Sequence, residues 1–328
     1  MTSQLSILER VLVQPETAGP QDLLAIRAAN LGGALRSRLP HHHPLRAALH
    51  ADALNMGLRH AQVRAELRAL LRVWAGEGID ALLFKGFSLA EFDYASTGER
   101  IYGDVDVLLP EQPSVVWRAA HLAMAHGWRS DGQHADPSIW THETMHLFSP
   151  SGHVRLDVHR CVVSLRSGVT LQQARALTTG LWRRAQRLDW DGFPVRLPHP
   201  LDDAVLNVVL ARSWGGDSGG LKPADYLDLQ VLCGRHGLSM ADLAGHAAKL
   251  GAAQTWAAFR QVCDPSAGRL ILDPTRTRPI ILAGLRGDGL HPRLARWRAA
   301  GRSGAGVAPA AHFIARHAGG ARGHGAGR

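Results

Sequence analysis

Apolar residues in the first quarter of the chain recur at helical spacing. From about residue 21 to residue 76 they return every three or four positions, apart from the stretch HHHP at 41–44. Gly76 and Gly78 end the pattern. The periodicity predicts an N-terminal helical segment over residues 1–76.

Short apolar runs follow and predict strands. IDALLFKG (79–86) is bounded by glycines, and the next run, FSLAEFDYAS, has the character of a helix that begins just after Gly86. IYGDVDVLLP (101–110) alternates aspartate with valine and leucine. A helix is predicted over 113–127, and HETMHLFSP with HVRLDVHR predicts a hairpin. These elements predict a core domain over 77–165.

The second half of the chain predicts one more hairpin and several helices. AQRLDW and FPVRLP flank the turn residues Asp191 and Gly192, and three segments with helical spacing follow. They predict a hairpin with a C-terminal helical domain over 166–275. The fold class is therefore α+β, with a small mixed β-sheet core between N-terminal and C-terminal helical segments.

The formal charge of +9 is concentrated at the C-terminal end. Residues 275–328 contain ten arginines and a single acid, Asp288, so the preceding residues are balanced. The segment 276–328 is rich in arginine, glycine and alanine and is expected to be a largely disordered tail. A tail of this charge could bind nucleic acid, but Trp297 and Phe313 are its only aromatic residues, so a nonspecific or solubilising role is favoured.

Cysteine usage and hydropathy predict a cytoplasmic protein without a membrane partner. The three cysteines are far apart and form no CxxC pair. Glu9 and Arg10 interrupt the apolar residues of the N-terminus, unlike a signal peptide, and no stretch reaches the roughly 18 apolar residues of a membrane span.

Two aspartates in the 101–110 run are the first candidates for chemistry. Residues two apart in a strand point to the same face, so Asp104 and Asp106 project side by side while Val105 and Val107 face the core. Adjacent carboxylates repel unless a cation lies between them, and magnesium is the natural occupant. The alternative is that the pair forms the solvated face of an edge strand.

Lys85 and Gly86 follow the first predicted strand and begin a strand–turn–helix. Glycine permits close backbone approach, the helix N-terminus offers N–H groups to a phosphate, and the lysine adds a positive charge. The alternative is an ordinary tight turn with a surface lysine.

Asp157 lies in the second strand of the predicted hairpin, on the face opposite Leu156 and Val158. A third carboxylate on a neighbouring strand could complete a two-metal site and help deprotonate an attacking hydroxyl. The alternative is a structural ion pair with Arg155 or Arg160.

These motifs together carry a family resemblance. LLFKGFSLAEFDYASTGERIYGDVDVLLP resembles the "LKG…L…Y…R…DIDLLV" signature of an uncharacterised bacterial nucleotidyltransferase family within the polymerase-beta-like superfamily. RLDVHR resembles its "vDlHw" strand, and WDGFPVRLPHPLDDAVLNVVLARSW its hairpin and following helix. The resemblance covers roughly residues 50–235.

The resemblance implies a mixed sheet with helices packed on it and assigns roles to individual residues. The sequence departs from the family pattern at two positions. Phe87 replaces the usual serine of the phosphate-binding turn, with Ser88 next to it, and Arg212 lies where relatives often have histidine. Asp228 resembles the family's "lDla" aspartate, which could also be structural. The implied metal ligands and catalytic residues are Asp104, Asp106 and Asp157, and the implied nucleotide-binding residues are Lys85, Gly86, Ser88 and Arg100. Arg100 could equally form a salt bridge with a nearby acid.

Two groups of histidines have different interpretations. His41, His42 and His43 precede a proline and indicate a solvated loop rather than a zinc site. A second group lies on the predicted hairpin beside the candidate site, where hydrogen-bonded strand histidines are favoured over substrate contacts. Its members are His142, His146, His153 and His159.

The expected activity is a magnesium-dependent transfer of a nucleoside monophosphate, with ATP as the expected donor and pyrophosphate as the leaving group. Two Mg²⁺ ions and an NTP are the expected cofactor and co-substrate. The acceptor is a peptide, a protein or a small molecule that the sequence does not identify. The alternatives are a catalytically inactive binding or regulatory protein with the same fold, and a nucleic-acid-associated protein that acts through the basic tail.

Overall fold

A mixed β-sheet lies at the centre of the protein. The computed structural model describes residues 4–131, 142–164, 168–214 and 220–291. Across these ranges seven strands form one sheet in the order β3-β4-β5-β2-β1-β7-β6. The strands are β1 (Leu82–Phe84), β2 (Val105–Leu108), β3 (Arg129–Ser130), β4 (Glu143–Phe148), β5 (Arg155–His159), β6 (Gln186–Asp189) and β7 (Pro194–Leu197).

The strand β2 is central rather than at an edge. It pairs antiparallel with β1 and parallel with β5, so the edge-strand alternative for the two aspartates is wrong. The predicted hairpins are present as β4–β5 and β6–β7, both antiparallel. β7 also pairs with β1, so the sheet extends past residue 165, the predicted end of the core.

Helices precede, interrupt and follow the sheet. In the N-terminal part they are α1 (Gln4–Val13), α2 (Leu23–Ala28), α3 (Gly32–Arg38), α4 (Leu45–Ala48) and α5 (His50–Gly76). Between strands they are α6 (Lys85–Phe92), α7 (Pro113–Ala125) and α8 (Leu171–Arg184). After β7 they are α9 (Pro200–Asp202), a π-helical stretch (Asp203–Leu210), α10 (Ala211–Ser213), α11 (Pro223–His236), α12 (Met240–Lys249), α13 (Ala253–Val262) and α14 (Pro274–Gly287). A small ribbon, β8 (Cys263–Asp264) with β9 (Arg269–Leu270), and the 3₁₀ turns Pro15–Thr17, Pro20–Asp22 and Pro265–Ala267 complete the described elements.

The structure refines the predicted C-terminal helices. The segment that follows Ser239 is divided into α12 and α13, because Gly251 adopts a left-handed conformation (φ 75°) between them. Helix α8 was not predicted. Helix α14 extends through residues 276–287, the first part of the segment that was predicted to be a largely disordered tail. The rest of the predicted tail, from 292 onward, lies outside the described residues.

Each face of the sheet packs on its own apolar core. Leu83, Val105 and Val107 belong to one core together with residues of α5 and α7. Leu82 and Phe84 point to the other face and belong to a core shared with N-terminal and C-terminal helices. Because side chains alternate along a strand, the even-numbered residues of β2 and the odd-numbered residues of β5 face this second core. That face carries the candidate site.

None of the helices in the described ranges combines the length and apolar composition needed to cross a bilayer.

Candidate active site

The predicted carboxylates converge on neighbouring strands. Asp106 of β2 is directly opposite Asp157 of β5 in the parallel register, and adjacent strands lie about 4.8 Å apart. The two residues are 7% and 3% exposed. Asp104 is half-buried one residue before β2, and all three side chains line one cavity. The expected proximity of the three acids is therefore present.

Asp106 is held by two donors. The Lys85 Nζ atom lies 2.6 Å from Asp106 Oδ1, and the His159 Nε2 atom lies 2.8 Å from the same oxygen. Burial opposes ionisation of the carboxyl group, but Lys85 and His159 outweigh it and hold the pKa of Asp106 well below its ordinary value. Asp106 is therefore an anion throughout the physiological range.

The pKa of Asp157 is raised, whereas that of Asp106 is lowered. Burial, and then the charge of Asp104, raise the pKa of Asp157 to about 7, although Arg155 partly offsets them. Arg155 Nη2 donates to Asp157 Oδ2 over 2.9 Å, and Arg155 Nε forms an ion pair with Oδ1 at 2.8 Å. Across the described ranges, buried Oδ1 has no hydrogen-bond donor.

A divalent cation suits this set of groups. The oxygen Asp157 Oδ1 lacks a donor, and repulsion from nearby carboxylates opposes ionisation of Asp157. An ion with oxygen ligands would satisfy that oxygen and offset the repulsion. The donor set consists of carboxylate oxygens, which magnesium prefers.

The turn after β1 has an unusual backbone. Lys85 adopts a left-handed conformation (φ 59°), which is uncommon for a residue with a side chain and is often found at functional sites. Helix α6 starts at this residue, so the N–H groups of its first turn lie next to Asp106. Lys85 and Gly86 both line the cavity. The surface-lysine alternative does not describe this side chain, which is ion-paired with the candidate metal ligand.

Gly86 is required for the close approach of Tyr102. A Cβ atom at position 86 would lie 2.7 Å from Tyr102 Cβ, well inside van der Waals contact. We expect Gly86→Ala to lower the free energy of unfolding by about 1–2 kcal/mol through overpacking. Gly103→Ala is the matched control, because no heavy atom lies within 4 Å of its added Cβ. Urea unfolding of both variants measures the difference, and equal stabilities would contradict the packing role.

Two ion pairs with buried carboxylates also line the cavity. Arg100 Nε and Nη2 donate to the two carboxylate oxygens of Asp228 over 2.6 and 2.7 Å, and Tyr94 also donates to Asp228 over 2.7 Å. Arg212 Nε lies 2.9 Å from Asp225 Oδ1. Burial disfavours the charged Arg100, but Asp228 outweighs it and raises the pKa of Arg100. Arg100 thus connects the segment before Asp104 to helix α11.

The cavity lined by these ion pairs and by the three aspartates is about 690 Å³ in volume, which is in the range of small-molecule sites. A family model described as uncharacterised nucleotidyltransferase matches residues 21–264, which include every candidate site residue. The chain belongs to this nucleotidyltransferase family. No curated protein matches it.

Two solved structures are similar to the nucleotidyltransferase at low identity. One is ANT(2″)-Ia in complex with adenylyl-2″-tobramycin, with 12% identity, a TM-score of 0.38, and coverage of 58% of this chain and 97% of that chain. The other is an antigenic nucleotidyltransferase-like protein from Paracoccidioides brasiliensis, with 14% identity, a TM-score of 0.34, and coverage of 68% and 93%.

Two of the predicted nucleotide-binding residues of this nucleotidyltransferase are less accessible than Lys85 and Gly86. Ser88 is buried in α6 and does not line the cavity. Arg100 does line it, but its guanidinium forms the salt bridge that was the alternative interpretation. Phe87, at the position where the resemblance leads us to expect a serine, is fully buried and stacks on His60 with ring centroids 5.1 Å apart. The Phe87 side chain therefore packs in the apolar core and does not line the cavity.

The histidines of the nucleotidyltransferase follow the predicted classes with one exception. His41 and His42 are exposed in a loop, as predicted, whereas His153 is exposed at the hairpin turn and is not the hydrogen-bonded strand histidine that was expected. His159 is a hydrogen-bonded strand histidine, and His146 bonds to Glu143 and Asp131. These contacts raise the pKa of His146 to about 9, the largest cause being Glu143.

Sequence reasoning did not identify Glu143, which lines the cavity next to His142. The signal was present in the hairpin itself, because the register of β4 on β5 places Glu143 opposite His159. His159 is two residues after the predicted metal ligand Asp157. Glu143, which is paired with His159, therefore lies at the same end of the sheet as Asp157.

Proposed function

We propose that the protein transfers a nucleoside monophosphate from an NTP, with ATP as the expected donor, to an acceptor nucleophile and releases pyrophosphate. Three carboxylates and Lys85 on one wall of a single cavity are the observation that supports this proposal. In the reaction the acceptor oxygen bonds to the α-phosphorus as the bond between that phosphorus and the bridging oxygen breaks. The acceptor's proton leaves with a base.

Asp104, Asp106 and Asp157 would hold the metal in this proposal. Magnesium bound there would neutralise the negative charge of the phosphates in the ground and transition states. Asp157 would favour deprotonation of the acceptor by holding a second metal ion, since a bound cation lowers the pKa of a hydroxyl that it coordinates.

Lys85 and the first turn of α6 would hold the polyphosphate. Lys85 Nζ lies on the cavity wall beside Asp106, and the N–H groups at a helix N-terminus attract anions. The left-handed conformation of Lys85 fixes both features in one turn. We therefore assign triphosphate binding to Lys85 and the backbone at Gly86, with Ser88 supporting the turn from inside.

Arg100 has a positioning role in the proposal. Its bidentate pair with Asp228 holds the segment that leads into Asp104, and the tyrosine Tyr94 braces the same carboxylate. Such fork-shaped pairs fix geometry as well as charge. Asp104 is thereby oriented by a helix that is distant in sequence.

The direct test uses α-labelled ATP, CTP, GTP and UTP with the purified full chain, Mg²⁺ and cell extract. We expect label from one nucleotide to be transferred to an acceptor, with release of pyrophosphate, only when Mg²⁺ is present. Calorimetry with Mg²⁺ and each NTP tests the alternative of an inactive binding protein. Absence of metal-dependent nucleotide affinity would contradict our proposal.

Magnesium affinity should depend on pH because of Asp157. Its pKa of about 7 means that a proton occupies the carboxylate below pH 7 and must leave when the ion binds. We expect the dissociation constant for Mg²⁺ to rise by up to about tenfold for each pH unit below 7 and to level off above pH 8. Calorimetry at several pH values, in buffers with different ionisation enthalpies, measures affinity and proton release together. An affinity that is constant from pH 5.5 to pH 8 would contradict the assignment of Asp157 as a ligand.

A further inference from the structure

A second cluster of metal-ligating side chains lies beside the three aspartates. His142, Glu143 and His159 each place one ligand atom within 4.8 Å of the other two. Glu143 and His159 are opposite each other in the β4–β5 pair, and His142 directly precedes β4. The cluster contains two imidazoles and one carboxylate, whereas the proposed magnesium ligands are all carboxylates.

One nitrogen of this cluster is buried without a partner. His159 is 1% exposed, and across the described ranges its Nδ1 atom has no hydrogen-bond partner. Its Nε2 atom lies 2.8 Å from Asp106 Oδ1, and a carboxylate can only accept, so Nε2 carries the proton. In the neutral ring Nδ1 then bears a lone pair. An imidazole that donates one N–H to a carboxylate and binds a metal through the other nitrogen is a recurrent arrangement in metal sites.

The spacing of the other two ligands suits a small tetrahedral ion. His142 Nε2 lies 3.5 Å from Glu143 Oε1, while Glu143 Oε2 accepts a hydrogen bond from His146. Ligand atoms at about 2.0–2.2 Å from a tetrahedral zinc ion lie roughly 3.4 Å from one another. The distance is therefore close to what two ligands of one ion require.

The local charge permits a cation. Lys85, which would repel a second positive ion, is ion-paired with Asp106 at 2.6 Å. Glu143 contributes a negative charge, and the imidazole rings of His142 and His159 lie with centroids 4.9 Å apart. Two imidazoles and a carboxylate are ligands of zinc more often than of magnesium, which prefers oxygen.

We propose that His142, Glu143 and His159 form a zinc site with one open coordination position, separate from the magnesium ligands. Because His159 also donates to Asp106, zinc at this site would fix the orientation of the central carboxylate. The inference does not depend on the proposed nucleotidyl transfer.

The test measures metal binding without nucleotide. The full chain is stripped with a chelator and titrated with Zn²⁺ by calorimetry, and with Co²⁺ by visible absorption. We expect His142→Ala and Glu143→Gln each to weaken Zn²⁺ binding at least about tenfold and to abolish the intense Co²⁺ bands of a tetrahedral site. Circular dichroism verifies that both variants remain folded.

Three control variants locate the ion. His153→Ala changes an exposed histidine on the same hairpin, and Asp104→Asn changes the magnesium set, so both should bind Zn²⁺ like the unmodified chain. His146→Ala changes the neighbouring group formed by Glu143, His146 and Asp157. Equal losses in His146→Ala and His142→Ala would overturn the proposal, as would unchanged Zn²⁺ affinity and Co²⁺ spectra in His142→Ala and Glu143→Gln.

Discussion

Asp104→Asn is expected to reduce Mg²⁺-dependent nucleotidyl transfer at least about 10³-fold, equivalent to about 4 kcal/mol of transition-state stabilisation. The substitution keeps the size of the side chain and removes its charge. Because the proposed catalysis rests on charge neutralisation and positioning, the loss should appear in kcat more than in the affinity for the acceptor. Pyrophosphate release measured over a range of Mg²⁺ concentrations checks this expectation.

Asp104 is a suitable position because its structural role is small. In the described part of the chain its carboxylate forms no ion pair or hydrogen bond, unlike Asp106, which holds Lys85 and His159. The fold should therefore persist, with an unchanged circular dichroism spectrum. Asp80→Asn is the matched control, since Asp80 is a half-exposed acid paired with Arg196 outside the cavity. Full activity in Asp104→Asn would refute the assignment of the site.

The geometry within each strand could be predicted from the sequence. Alternation of side chains places Val105 and Val107 in the core and leaves Asp106 on the opposite face, as the structure shows. The strand–turn–helix at Lys85 follows from a short apolar run and a glycine in the same way. These features depend only on residues that are close in the chain.

Features that depend on distant pairing could not be predicted from periodicity. The register that places Asp106 opposite Asp157 joins residues 51 positions apart, and the pattern within each strand does not set it, so their expected proximity rested on the family resemblance. Arg100 and Asp228 are 128 positions apart, so the choice between phosphate contact and salt bridge was open. The left-handed backbone of Lys85 is a local feature, but the sequence does not indicate it, because glycine is the residue that usually adopts this conformation. Similarly, the hairpin β6–β7 follows the long helix α8, and only the sheet shows that it belongs to the core.

Asp157→Asn is expected to stabilise the metal-free protein while abolishing transfer. In the folded state the pKa of Asp157 is about 7, against an ordinary value of 3.8, so the folded protein holds the proton more tightly than the unfolded chain. Stability therefore falls as pH rises from about 4 to about 7, and the full cost of the buried charge applies above that range. A pKa difference of about three units corresponds to about 4 kcal/mol.

Asparagine removes that cost because it carries no charge. Its partner Arg155 is 44% exposed and remains hydrated when the ion pair is lost, so we expect a net gain of about 2–4 kcal/mol in the free energy of unfolding at pH 8 and almost none at pH 4. Urea unfolding in the presence of a chelator at both pH values measures the difference. Magnesium should stabilise the unmodified protein more than the variant at pH 8, since the ion replaces the proton as the compensating charge. A variant that is less stable than the parent at pH 8 would show that Asp157 is a structural partner of Arg155 rather than a carboxylate held in place for a cation.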